Sequence, residues 1–185
     1  MKNLLISLLA ILFISTAVLS QPDKRVLSLE NKTKDKALVT KLPPNVYRVK
    51  VNYDLSVEEA VKLGKYEWSD KDITSEHFPS QRKGTASVDI EIRHFNRLIS
   101  SDDIITELTK EGLRPAELHE SCALGEQYPE MQRKYLIVAL GSVWRSFGGS
   151  RVVPVLSSDG GGRELYLHWF DGGWDADDRF AAVRK

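Results

Sequence analysis

The chain has 185 residues, 26 Lys and Arg against 26 Asp and Glu, and 42% apolar residues. That length fits one domain, or one domain with an appendage, and the balanced charge leaves no electrostatic footprint for nucleic acid. A lone cysteine, Cys122, excludes an internal disulfide, so the fold must stand on its core.

Lys2, an apolar run from Leu4 to Leu19 and small residues at Ser15, Thr16, Ala17 and Ser20 predict a signal peptide over 1–20. The run falls short of the roughly 20 residues a spanning helix needs. The chain is therefore expected to be secreted, periplasmic or on the cell surface, touching a membrane only through an uncleaved signal. Residues 21–44 interleave Lys and Asp with little apolar periodicity and read as a flexible linker.

A small N-terminal αβ region follows over 45–85. Val46 to Tyr53 alternates as a half-buried strand, Ser56 caps a helix ending near Gly64, and Trp68 to Gly84 is irregular and polar. Residues 86–185 form the larger region. Ala86 to Phe95 alternates again, with Val88, Ile90 and Ile92 on one side. Ser100 and Ser101 open a helix whose stripe is Ile104, Ile105 and Leu108 and whose stop is Gly112. Pro115 is expected in the first turn of a second helix reaching Gln127, with Cys122 on its apolar stripe as a small buried hydrophobe. Strands are predicted at 136–140, 151–156, 164–170 and 179–183, with a turn or flexible tip at Ser157–Gly162.

The helix, the Gly112-Leu113-Arg114-Pro115 turn and a second helix bearing Glu117, Leu118 and Glu120 resemble a segment of C-type-lectin-like domains. The branch in question is that of formylglycine-generating-enzyme-like proteins and the variable proteins of diversity-generating retroelements. Val143-Trp144 resembles the strand entering that family's variable half, and Trp169 to Arg184 its last hairpin. Arg and Leu are transposed in the turn, and Ala116 replaces the usual Thr cap. The resemblance covers about residues 86–185. It implies an exported bacterial α+β, C-type-lectin-like fold: two helices packed on a twisted, mostly antiparallel sheet, with a small β-rich N-terminal region. The enzymes of that branch use a cysteine pair, which Cys122 alone cannot supply.

The last forty-five residues hold three of the four tryptophans and most of the glycines, in short apolar runs split by turns. Loops carrying rigid aromatics suit binding better than catalysis. The favoured function is non-catalytic binding of an extracellular protein or glycan, in a retroelement-diversified version if the resemblance extends that far. The candidate contacts are Trp144, Arg145, Phe147, His168, Asp171, Trp174, Asp175, Asp177 and Asp178. Trp174, between Gly173 and Asp175, is expected to be exposed, and Trp144 and Trp169 to be buried or partly buried. Should these fail, the irregular segment Trp68–Gly84 is the next place to look.

The aspartates at 171, 175, 177 and 178 offer oxygens of the kind Ca²⁺ takes, but a solvated hairpin loop is the simpler reading. His77, His94, His119 and His168 lack zinc spacing, Gly160–Arg163 lacks the Lys-Ser/Thr of a phosphate loop, and no metal or cofactor is expected. One rival is a cell-wall or glycan hydrolase using two carboxylates from Glu117, Glu120 or the 171–178 aspartates. Another is a structural envelope protein.

Overall fold

The structure is a computed structural model that describes residues 42–185. The expected signal peptide, and the linker up to Lys41, lie outside the described residues. Among the described residues no helix is long and apolar enough to cross a membrane.

The elements run β1 (Val46–Asn52), α1 (Val57–Gly64), β2 (Trp68–Ser69), β3 (Thr85–Arg93), β4 (Ile99–Ser100), α2 (Ser101–Lys110), β5 (Leu113–Pro115) and α3 (Leu118–Gln127). They continue with α4 (Pro129–Gln132), β6 (Ile137–Val138), β7 (Trp144–Arg145), β8 (Arg151–Asp159), β9 (Gly162–Trp169), β10 (Gly173–Trp174) and β11 (Arg179–Arg184). The fold is α+β with a large mixed sheet in the order β1-β3-β11-β6-β8-β9-β2. β5 flanks β11, β7 flanks β8, and β4 pairs with β10 in a separate two-stranded sheet. Most pairings are antiparallel; β11–β6 and β2–β9 are parallel.

Helices cover the sheet on both faces. On one, Val57 and Ala60 of α1 and Leu118, Cys122 and Leu124 of α3 pack on Val49, Val51, Ile90, Leu156 and Leu165. On the other, Ile104 and Leu108 of α2 pack on Val153, Val155 and Phe180. β8 is thus buried on both faces, which is why Val152 to Leu156 reads as a continuous apolar run rather than an alternation. β1 and β3 alternate because their outer face is wet.

Local sequence accounts for the helix ends. Ser56 Oγ accepts from the Glu59 amide at 3.2 Å while the Glu59 carboxylate accepts from the Ser56 amide at 2.8 Å, a complete capping box. Ser100 Oγ accepts from Asp103 N at the start of α2. The guanidinium of Arg163, itself only 7% exposed, donates to the carbonyls of Gly64, Lys65 and Gly125. These lie at or near the C-terminal ends of α1 and α3, where free carbonyls and the helix dipole favour a cation.

Two expectations need correcting. Pro115 does not open a helix: it ends β5, paired with Ala182 of β11, and α3 starts only at Leu118. The strand forms because β11 offers an edge there, and a proline at a strand end forfeits no ladder bond. The 157–162 tip is also shorter than expected. Ser157 to Asp159 belong to β8, and Gly160 and Gly161 alone turn the chain, with φ of 55° and 97°.

Candidate functional site

β7 and β8 form a tight hairpin with Trp144 opposite Val152 and Arg145 opposite Arg151. Ser146 N donates to Ser150 O at 2.9 Å, Gly149 N donates to Ser146 O at 2.8 Å, and Gly149 takes φ +84°. The turn is closed by its own backbone, so Phe147 at its tip has no packing duty and is 91% exposed.

Val152 is also opposite Trp169 of β9. Directly opposed residues project to the same face, so Trp144, Val152 and Trp169 form one row across three strands. Strand spacing puts the two tryptophans roughly 10 Å apart. Trp169 is 66% exposed. The expectation that a strand tryptophan would be core is wrong here: β2 covers β9 only at Glu164 and Leu165, so the far end of β9 is the rim of the sheet.

Trp144 is half-buried, as expected, and its ring lies under that of His77 at 3.9 Å and 10°. Phe147 stands edge-on to both, at 5.7 Å from Trp144 and 5.9 Å from His77. His77 is oriented by its Nδ1, which donates to Asp72 O at 2.8 Å. It comes from the irregular 68–84 segment. Its place beside Trp144 rests on a contact 67 residues away in sequence that no local pattern encodes.

A cleft of about 270 Å³ adjoins this platform, lined among others by His77, Ser80, Glu117, His119 and Ser142. Ser142 Oγ accepts from Leu118 N, fastening the cleft to the first turn of α3. His119 is buried and hydrogen-bonded through Nε2 to Leu55 O at 3.0 Å. Glu117 is paired with Arg82 at 2.9 Å.

Behind the cleft Glu120 is fully buried and fully satisfied. It accepts from Arg114 through both oxygens (2.9 and 2.5 Å), from the Tyr53 hydroxyl (2.7 Å) and from the Glu117 amide (2.8 Å). Burial pushes its carboxyl upward, but Arg114, the amide and Tyr53 together outweigh that and hold it below the usual range. A carboxylate so held is an anchor; it has no proton to give at neutral pH. Cys122 is equally unsuited to chemistry: burial pushes its thiol up to about 12.

The other candidate contacts scatter. Arg145 is exposed and donates to Gly149 O, bracing the hairpin. Asp171 is exposed and paired with Arg151. Asp175 and Asp177 are exposed, and the carboxylate of Asp178 accepts from the Asp175 amide at 2.8 Å. Burial lifts the Asp178 carboxyl. Among the described residues no group of three or more His, Cys, Asp or Glu is placed to hold a metal ion. His168 is half-buried, 5.0 Å from the Trp174 ring.

Trp174 is the clearest correction. It is 2% exposed, not displayed. Its backbone bridges Ile99 of β4, its Nε1 donates to Ser101 Oγ at 2.8 Å, and its ring packs on Phe180. A Cβ at the neighbouring Gly173 would lie 3.2 Å from Cδ1 of the exposed Leu98.

No family model matches the chain, and searches of characterised proteins and of solved structures likewise returned no match.

Proposed function

We propose that this chain is an exported, non-catalytic recognition module that binds an extracellular protein or glycan on the rim carrying Trp144, Phe147 and Trp169. One observation carries the reading. Two large rings, Phe147 and Trp169, stand 91% and 66% exposed on backbone fixed by hairpin hydrogen bonds and sheet pairing. Rigid aromatics give contact area at little entropic cost, and exposed rings grouped on a fixed rim favour an interaction site.

We assign the fold to the C-type-lectin-like class on the order of α2, the Gly112–Pro115 connection and α3, with β3 and β11, the ends of the 86–185 region, paired to each other. A retroelement-diversified version would vary the 144–150 hairpin. Hydrolysis by the Glu117 and Glu120 pair is disfavoured because Glu120 is locked as a buried carboxylate, so Glu117 lacks a partner acid in the cleft.

The test compares wild type with a Phe147→Ala/Trp169→Ala double variant. Fluorescently labelled protein would be applied to a glycan array and to intact cells, the cells before and after periodate or protease treatment. Binding that is lost in the double variant supports the rim, and the treatment that abolishes it separates glycan from protein. Binding unchanged by the double substitution would place the site elsewhere. No binding on array or cells would favour the structural envelope role.

A further inference from the structure

A second surface, on the β1–β3 side of the sheet, has a different chemistry. β3 pairs with β1 from Thr85 to Glu91 but with β11 only from Ile90 to Arg93. Among the described residues no strand covers the second edge of Thr85–Val88. Backbone alternation tells which groups that edge presents. Ile92 N donates to Asn45 O and Gly84 O accepts from Tyr53 N, so the even-numbered residues face β1. Ser87 and Thr85, both exposed, therefore turn N–H and C=O to the open side.

That edge borders a trough of about 840 Å³ whose lining includes Arg48, Arg82, Lys83, Arg114 and Arg184, with Asp89 as the single acid. Each arginine has a carboxylate partner: Asp89, Glu117, Glu120 and Glu91 respectively. Three of those four acids are not part of the lining. A guanidinium has five N–H donors; Arg48, Arg82 and Arg184 spend one or two of theirs in these pairs, whereas Arg114 spends three, on Glu120 and on Pro115 O. Lys83 has no acid within salt-bridge distance among the described residues.

We propose that this trough takes an extended acidic peptide segment as an added strand beside β3. Ser87 and Thr85 would supply the main-chain bonds, and the basic rim would select carboxylate side chains. The chain's own segment 21–41 is a poor complement, with six basic and three acidic residues, and the occupant proposed is a separate acidic polypeptide. The proposal is independent of the aromatic rim.

The probe is an acetylated and amidated Glu-Val-Asp-Val-Glu-Val hexapeptide, titrated against the full chain by calorimetry and by ¹⁵N NMR. Its all-Lys counterpart and polygalacturonate are the controls. The expected result is saturable binding of the acidic peptide alone, with slowed hydrogen exchange at the Ser87 amide. Lys83→Glu should weaken it at least threefold. Ser87→Pro removes an N–H that no neighbouring strand uses and should weaken it at least tenfold. A peptide N-methylated at alternate amides makes the same test on unaltered protein, so a misfolded Ser87→Pro decides nothing alone. Equal binding of the N-methylated peptide or of polygalacturonate would overturn strand addition in favour of a charge-only polyanion site. Equal binding of the basic peptide, or no binding of the acidic one, would overturn the proposal outright.

Discussion

The hairpin at 144–151 and the loop at 170–178 look alike in composition: each has a tryptophan, a neighbouring glycine pair and charged residues. The molecule treats them oppositely. The hairpin closes through its own backbone bonds and leaves Phe147 in solvent. The loop is recruited by another element. Its Gly173-Trp174 bridges Ser100-Ile99, and Ser101 Oγ both accepts from Trp174 Nε1 and donates to Phe170 O at 2.6 Å. A tryptophan is buried readily when its one N–H finds a partner. In the loop a distant hydroxyl satisfies that donor and the ring is buried, whereas the hairpin closes without calling on Phe147.

The sharpest break of this comparison is Trp174→Ala. A ring of that size at 2% exposure leaves a cavity worth about 3–5 kcal/mol. Chemical denaturation should show that loss, with ligand binding of the surviving folded fraction unchanged. A variant as stable as wild type but defective in binding would mean that the 170–178 loop, and not the hairpin, is the displayed one.

The local part of this structure was legible in the sequence. The alternations in β1 and β3, the Ser56 and Ser100 caps and the buried Cys122 all follow from residues within one turn or strand of each other. What was not legible rests on long-range partners. Pro115 joined a strand because β11 lay beside it, and His77 met Trp144 across the fold. Trp169 and Trp174 exchanged their expected environments because β2 stops short on one side and Ser101 reaches in on the other. The Glu117 and Glu120 pair was visible as a cluster of acids, but its role turned on Arg114 and Tyr53, which bind one carboxylate and leave the other at the cleft.

That Glu120 anchor predicts the next effect. Its carboxyl is held low in the folded protein, so it adds stability above the unfolded value near pH 4.3 and loses it as pH falls through the folded one. Urea unfolding from pH 7 down to pH 3 should show stability declining with acid. Glu120→Gln should cost about 2 kcal/mol at pH 7 and flatten that decline. An equally steep acid limb in the variant would show that other carboxylates carry it.

A smaller change tests the relay that separates the two loops. Ser101→Ala leaves the buried Trp174 N–H without its acceptor, a loss of about 1 kcal/mol or somewhat more. The Trp174 ring should stay in place, so binding at the hairpin should not respond. Threonine at 101 should recover part of the loss by keeping the hydroxyl, whereas equal stability of all three would show that the hydrogen bond contributes nothing net.

The smallest effect on stability is expected at the rim itself, and this makes it the most discriminating. Phe147 touches Trp144 and His77 only edge-on, and its turn holds without it, so Phe147→Ala should change unfolding free energy by no more than about 0.5 kcal/mol. Trp169 has Val152 beside it and open rim beyond, so Trp169→Ala should cost little more. If the rim is the recognition surface, either substitution should weaken binding by about 2 kcal/mol, the size expected for a central aromatic contact. Large binding losses without stability losses at the rim, against the reverse pattern at Trp174, would fix which loop the fold displays. A Phe147→Ala variant that melts several degrees lower would instead mean the hairpin depends on its aromatic stack, and the contrast between the two loops would shrink to one of degree.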